Sequence, residues 1–304
     1  MRRITLIVIF AIVVLGGLTL RYSGGPTVKS MGENRTVTSQ DGTTIAYTKL
    51  GSGPPLILVD GAFCYRENGP AGQLAPLLAK QFTVFAYDRR GRGSSGDAPL
   101  YAIEREVEDL RALVKEAGGS AVAVGVSSGG ALALQAAARD VGLKRLVLYE
   151  PPYIEQDGQP RSYDAQKRHL HDLVSAGDRA GAVRYFLSSI YGAPRAFVAL
   201  MPILMRSSWK KNLTVAHTLT YDLTLLEDRS VLGERSALVT VPILVVGGEN
   251  SPLPLKDAVA AVARALPNAR SVYLKGQDHN LSAPAVAPVV IEFFNSPQAA
   301  RAAP

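Results

Sequence analysis

The sequence predicts an α/β protein with a mostly parallel sheet, helices on both faces of the sheet, and a helical cap inserted between two strands. Two observations support this prediction. Short apolar segments alternate with segments whose apolar residues recur at helical spacing, which is typical of a parallel sheet covered by helices. The alternation stops between about Pro151 and Thr240, where the chain has helical patterns and no clear strand, and it then resumes.

The composition is that of a globular protein and excludes several other classes. The chain has 304 residues, of which 47% are hydrophobic and 19% are charged. Its single cysteine, Cys64, excludes an intramolecular disulfide and a cysteine-rich metal centre. The net charge of +7 comes from residues scattered along the chain without a long basic run, so we expect no nucleic-acid partner.

An apolar run fills residues 4–20, between the pair Arg2 and Arg3 and the single Arg21. Such a run is typical of a membrane anchor or a signal segment, and its length is at the lower limit for crossing a bilayer. No pair of small residues is placed cleanly for cleavage after the run, which favours an uncleaved anchor. We therefore expect residues 1–35 to be an anchor and linker that holds the rest of the chain outside the cytoplasm. If the segment is cleaved, we expect a secreted protein.

The remaining chain divides at the stretch without strands. We expect a core from residues 36–150 and 241–296, a helical cap from residues 151–240, and a tail from residues 297–304. Strands are predicted at the short apolar segments Thr43–Tyr47, Leu56–Val59, Phe82–Tyr87, Ala121–Val126, Arg145–Tyr149, Ile243–Val246 and Ser271–Leu274. Helices outside the cap are predicted at Ile103–Ala117, Ala131–Ala138, Ala258–Leu266 and Val286–Phe294.

The segment Gly125-Val126-Ser127-Ser128-Gly129 joins a predicted strand to a predicted helix. A strand that turns sharply into a helix needs glycine two positions on either side of the serine, and the turn exposes the serine hydroxyl at its tip. The helix that follows points backbone N–H groups at the same place, so the N–H of Ser128 can stabilise a developing negative charge. Ser127 is therefore a candidate nucleophile.

Four separated motifs resemble those of the α/β-hydrolase superfamily and occur in the family's order over about residues 36–294. They are the hairpin segment Asp41–Tyr47, the strand and oxyanion loop Pro55–Ala62, the turn Asp88–Ser95 and the segment Gly276–His279, which is similar to the family's G-x-x-H. The resemblance implies the α/β-hydrolase fold, and it implies neither a metal nor an organic cofactor.

The resemblance also implies that His279 is the general base, because the family places its catalytic histidine in a loop after a late strand. The acid departs from the family pattern. Where G-x-x-D-P is usual, this chain reads Gly248-Glu249-Asn250-Ser251-Pro252, with serine in place of aspartate. Glu150 is the preferred acid, since it ends the strand after the nucleophile, where some related hydrolases carry theirs. Glu249 is the alternative acid.

The second oxyanion donor is expected in the loop after Val59, where the family usually has His-Gly and this chain has Asp60-Gly61. The family's donor is the backbone N–H that follows the glycine, which points to Ala62, with Phe63 as the alternative. The charge of Asp60 would oppose an oxyanion unless a neighbour such as Arg89 or Arg90 holds it, so we expect a structural role for Asp60.

A serine, a histidine and a carboxylate together predict acyl transfer through an acyl-enzyme, with a small-molecule substrate and water as the acceptor. The apolar residues of the cap suit small or medium carboxylic esters. Two alternatives stay open. One is a cofactor-free enzyme of the same fold with other chemistry, such as perhydrolysis or C–C hydrolysis. The other is a non-catalytic small-molecule binder, which the missing aspartate and the Asp60 replacement favour.

Overall fold

The structure, a computed structural model, describes residues 27–156 and 159–297. Its strands are β1 (Glu33–Thr38), β2 (Thr44–Leu50), β3 (Pro55–Val59), β4 (Thr83–Tyr87), β5 (Ala121–Val126), β6 (Leu143–Tyr149), β7 (Glu155–Gln156), β8 (Gln159–Pro160), β9 (Ile243–Gly248) and β10 (Ala269–Leu274). Eight of them form one sheet in the order β1-β2-β4-β3-β5-β6-β9-β10. β2 is antiparallel to β1 and to β4, and all other neighbours in this sheet are parallel.

The helices are α1 (Val28–Met31), α2 (Ala71–Leu78), α3 (Ile103–Glu116), α4 (Ser128–Ala137), α5 (Asp164–Ser175), α6 (Arg179–Tyr185), α7 (Arg195–Leu204), α8 (Arg206–Thr214), α9 (Leu219–Glu227), α10 (Leu253–Ala265) and α11 (Ala283–Asn295). The sheet is apolar on both faces because alternate residues of each central strand enter different clusters. Ile57 and Val59 of β3 pack with α3 and α4, whereas Leu56 and Leu58 pack with α2 and α11.

The segment between β6 and β9, which we call the helical insert (residues 151–240), contains α5 to α9. It also contains a π-helix at Phe186–Ile190 and short 3₁₀ turns. The prediction of a mainly helical stretch without a clear strand is therefore correct except for the two-residue strands β7 and β8, which pair as a hairpin. The division into core and cap domains stays a prediction.

Each predicted strand is present in the sheet, with ends that differ by up to three residues. The sequence analysis did not predict β1, whose residues are almost all exposed and lack an apolar alternation, as expected of an edge strand. Helix α4 begins at Ser128 and not at the predicted Ala131, because Gly129 and Gly130 are part of its first turn. The predicted mostly parallel sheet with helices on both faces is present.

The predicted localisation is corrected. Within the ranges 27–156 and 159–297, no helix is both long and apolar enough to cross a membrane. The apolar run at residues 4–20, on which the prediction of a membrane anchor or a signal segment depended, lies outside the described residues, as does most of the predicted tail.

Candidate active site

Ser127 occupies a strained turn between β5 and α4. Its φ of 54° and ψ of −127° lie where residues other than glycine are rarely found. The turn is held by two hydrogen bonds, from the Ser127 N–H to the Tyr149 carbonyl (2.8 Å) and from the Gly130 N–H to the Ser127 carbonyl (2.9 Å). A Cβ atom added at Gly129 would lie 2.1 Å from the Val59 carbonyl oxygen, so no larger residue fits there. Glycine is needed at position 129 because the backbone of the turn lies close to the end of β3.

The structure brings Glu150 and His279 together. Nδ1 of His279 lies 2.8 Å from Oε2 of Glu150, whose side chain is fully buried at the end of β6. The other carboxylate oxygen accepts hydrogen bonds from the Gly248 N–H (2.7 Å) and from the hydroxyl of Ser251. Ser251, which stands where the family usually has aspartate, therefore supports the carboxylate that pairs with the histidine.

The environment of Glu150 favours its ionised form. Burial alone would raise the pKa of Glu150, but the hydrogen bonds from His279, Ser251 and Gly248 and the attraction of the imidazole lower it below its usual value. An ionised Glu150 beside Nδ1 holds the proton of neutral His279 on that nitrogen. Nε2 is then the nitrogen that can accept a proton from a serine hydroxyl.

The loop that carries His279 is fixed by the ends of two strands. The hydroxyl of Tyr149, the last residue of β6, donates to the Asp278 carbonyl. The Asn250 N–H, just after β9, donates to the Gln277 carbonyl (2.9 Å). The neighbouring Glu249 is exposed and is absent from the cavity wall that the structure describes. The structure therefore pairs the preferred acid with His279 and does not bring the alternative there.

The predicted oxyanion donors border Ser127. A Cβ atom at Gly61 would lie 2.9 Å from the Ser127 Cβ, so the backbone of this loop packs directly against the candidate nucleophile. Ala62 follows Gly61, and Phe63 has a φ of 63°, in the left-handed region. The Asn68 side-chain amide donates to the Phe63 carbonyl at 3.0 Å and holds this conformation. Ser128, the other expected donor, is the first residue of α4.

A buried cluster of charges lies behind both donors, and the sequence analysis did not identify it. Arg89 pairs with Glu106 and Asp222, and Arg92 pairs with Asp222, at distances of 2.6–2.8 Å. All four side chains are at most 1% exposed. The arginines belong to the predicted turn after β4, but nothing in the sequence singles out Asp222, which lies on α9 of the helical insert.

The cluster contacts both chain segments that carry the expected oxyanion donors, the oxyanion loop and the start of α4. Arg92 donates to the Gly61 carbonyl (2.6 Å), and Arg89 donates to the Asp60 carbonyl (3.3 Å). Asp222 accepts a hydrogen bond from the Ser128 hydroxyl (2.7 Å). Burial would raise the pKa of Asp222, but the two arginines lower it, so the carboxylate is ionised. One carboxylate of the insert thus links the oxyanion loop to the start of α4.

Asp60 differs from the expectation that Arg89 or Arg90 holds its carboxylate. Arg89 contacts Asp60 at its backbone carbonyl and not at its carboxylate, and Arg90 binds Asp41 and Asp109 instead. Burial raises the pKa of Asp60 to about 7, although the Ala71 N–H and the charge of Arg92 lower it. The carboxyl group therefore carries a proton over much of the range in which an exposed aspartate is ionised.

We expect the variant Asp60→Asn to become more stable than the parent protein as pH rises. Above about pH 4 the folded parent keeps a proton on Asp60 that the unfolded state has lost. The parent's free energy of unfolding therefore falls as pH rises towards the folded pKa of about 7. Asparagine removes this loss, and its advantage should grow by about 2–3 kcal/mol between pH 5 and pH 8. Urea unfolding at both pH values tests this, and a constant difference would contradict it.

Ser127, His279, Ala62 and Ser128 line one cavity of about 590 Å³, and residues of the helical insert form another part of its wall. Tyr191, from the insert, lies with its ring centre 6.0 Å from that of His279. Cys64 also lines the cavity, and burial raises the pKa of its thiol, so it is a poor nucleophile there. The walls are mainly apolar, as in pockets for small organic molecules.

Comparisons with known proteins agree with this architecture. A crystal structure of an alpha/beta hydrolase from Sphaerobacter thermophilus is 43% identical, with a TM-score of 0.78 over 86% of this chain and 100% of that one. The chain is 28% identical to a 2-(acetamidomethylene)succinate hydrolase of Mesorhizobium japonicum, over 78% of this chain and 85% of that one. It is 24% identical to a non-heme haloperoxidase of Rhodococcus erythropolis, over 81% of this chain and 92% of that one. Residues 51–290 match the model of the alpha/beta hydrolase family, and the chain belongs to that family.

Proposed function

We propose that the protein hydrolyses small or medium carboxylic esters through an acyl-enzyme formed on Ser127. The observation that carries this proposal is the Glu150–His279 hydrogen bond, together with the strained Ser127, which lines the same mainly apolar cavity as His279. His279 takes the proton of the serine hydroxyl as the hydroxyl attacks the ester carbonyl. It then gives that proton to the leaving alcohol, and water repeats the sequence on the acyl-enzyme.

The backbone N–H groups of Ala62 and Ser128 would bind the oxyanion that forms at each attack. Both groups border the cavity next to Ser127, and the Ser128 N–H is at the N-terminus of α4, where the helix dipole favours negative charge. Glu150 orients the imidazole and stabilises its cationic form. The cavity volume of about 590 Å³ and its apolar walls support small or medium acyl groups.

An acyl-enzyme predicts a property of the products that direct attack by water does not. Esters with one acyl group and different alcohols should all give the same ratio of methyl ester to free acid when methanol is added, because all pass through one intermediate. We expect this constant ratio for ethyl, phenyl and p-nitrophenyl butyrate, measured by gas chromatography. A ratio that changes with the leaving alcohol would contradict the proposed route.

Perhydrolysis is the second candidate, because the relatives include the non-heme haloperoxidase of Rhodococcus erythropolis. In that reaction hydrogen peroxide replaces water as the acceptor. Its oxygen bonds to the acyl carbon, the bond to Ser127 breaks, and a peracid leaves while His279 returns the proton to the serine. Assay of peracid from ethyl butyrate and hydrogen peroxide distinguishes the two. A peracid yield well above the free acid would make perhydrolysis the better description.

A further inference from the structure

The wall of the cavity that the helical insert provides carries one arginine, Arg161, just after β8. Among the described residues that line the cavity, Arg161 is the only lysine or arginine. Its guanidinium lies over the ring of Tyr163, 5.1 Å from the ring centre. A cation on the wall of a mainly apolar pocket is the kind of polar group that fixes the orientation of a ligand.

The guanidinium of Arg161 has contacts that satisfy only part of its bonding capacity. Nη1 donates to the Ile190 carbonyl at 3.3 Å and Nη2 to the Ser189 carbonyl at 3.4 Å, both long for such bonds. In the part of the chain that the structure describes, no carboxylate oxygen lies within 4.0 Å of the Arg161 guanidinium nitrogens, the limit for an ion pair. A guanidinium has five N–H donors, so donors remain for a ligand.

The acidic groups of the same cavity are engaged elsewhere. Asp222 is ion-paired with Arg89 and Arg92. Asp278 lies on the loop of His279 and accepts a hydrogen bond from the Asn280 N–H (2.7 Å). The buried arginines of the turn after β4 therefore have their counter-charges, whereas Arg161 has none among the described residues. An anion on the ligand would supply that charge.

We propose that Arg161 binds a carboxylate of the substrate, so that the preferred esters carry a free carboxylate at the end of an apolar chain. This inference rests on the proposed ester hydrolysis and names its substrate class. A guanidinium and a carboxylate can form two parallel hydrogen bonds, which fix both the distance and the direction of the ligand. The apolar walls between Arg161 and Ser127 suit the methylene groups of a dicarboxylic half-ester.

The test compares two esters that differ only in the anionic group. Monoethyl glutarate has a carboxylate where ethyl hexanoate has an ethyl group, and the monoethyl esters of succinate and adipate vary the spacing. In the variant Arg161→Gln we expect kcat/KM for the best half-ester to fall by about 10- to 100-fold, mainly through KM, because a charged hydrogen-bonded contact is lost. The value for ethyl hexanoate should stay within about 2-fold.

The matched control is Arg168→Gln, since Arg168 is an exposed arginine of α5 that does not line the cavity. Arg168→Gln should leave kcat/KM unchanged for both the half-ester and ethyl hexanoate. Arg161→Gln would overturn the proposal if it lowered turnover of both esters equally, because Arg161 would then only cap the carbonyls of the π-helix. Unchanged turnover of every half-ester would overturn it as well.

A binding measurement separates this inference from the proposed function. In a Ser127→Ala background, calorimetry with glutarate, succinate and adipate measures affinity without turnover. We expect the best dicarboxylate to bind about 10-fold or more weakly when Arg161→Gln is added. Equal affinities, or no binding of any of the three, would overturn the inference. Failure of ester hydrolysis with Arg161-dependent binding would overturn only the catalytic proposal.

Discussion

Replacing Glu150 by glutamine is expected to lower kcat by about 10³- to 10⁴-fold while leaving the protein folded. The amide oxygen can still accept the hydrogen bonds from the Gly248 N–H and the Ser251 hydroxyl. The amide nitrogen would then face Nδ1 of His279 and donate to it. This favours the tautomer with its proton on Nε2, which cannot accept the serine proton. Steady-state kinetics on ethyl butyrate measure the loss.

The matched variant is Glu249→Gln, which changes the alternative acid in the same way. The Glu249 side chain is exposed and outside the cavity wall, so we expect kcat to stay within about 2-fold. A large loss at Glu249 together with a small loss at Glu150 would reverse the assignment of the acid. A small loss at both would mean that another group, or none, completes the triad.

Replacing Asp222 by asparagine is expected to reduce both stability and turnover. Asp222 is the only carboxylate of the described residues within ion-pair distance of Arg92, so its neutralisation leaves a buried guanidinium without a counter-charge. The free energy of unfolding should fall by about 3–5 kcal/mol. At temperatures where the variant is folded, kcat should fall by about 10- to 100-fold, because the oxyanion loop and Ser128 lose a shared contact. Urea unfolding and kinetics measure the two effects.

Asp109→Asn is the control for a purely structural effect. Asp109 is also buried and pairs with an arginine of the same turn, Arg90, at 2.7 Å. That pair touches neither the oxyanion loop nor Ser128, and Arg90 keeps Asp41 as a second partner. We expect Asp109→Asn to lose stability and to keep kcat within about 2-fold. An equal effect of both variants on kcat would remove the positioning role of Asp222.

The sequence analysis predicted the parts of the candidate site that depend on local chain geometry. The turn at Ser127 needs glycines at fixed spacing, and His279 lies in a short motif after the last strand, so both are readable from a few neighbouring residues. The pairing of Glu150 with His279 depends on the parallel register of β6 and β9, in which Tyr149 lies opposite Val246. That register brings Glu150 to Gly248 and Ser251. The sequence suggested Glu150 as the acid but could not decide between it and Glu249.

The contribution of Asp222 could not be predicted, for a different physical reason. Its contact with Arg89 joins residues 133 positions apart, one from the turn after β4 and one from the helical insert. The sequence of the insert has no motif that singles out Asp222, and an aspartate in an amphipathic helix usually faces solvent. Only the packing of α9 over the turn after β4 shows that this carboxylate is buried between two arginines.

The measurement that tests the central claim most directly is labelling with a fluorophosphonate, followed by peptide mapping, with Ser127→Ala as the control. An activated serine is expected to react through Ser127 alone, since His279 removes its proton and the neighbouring N–H groups stabilise the adduct. Label on the Ser127 peptide in the parent protein, with none on the folded control, is the result that the proposed mechanism predicts. A folded parent protein that takes no label would contradict it and would favour the non-catalytic binder.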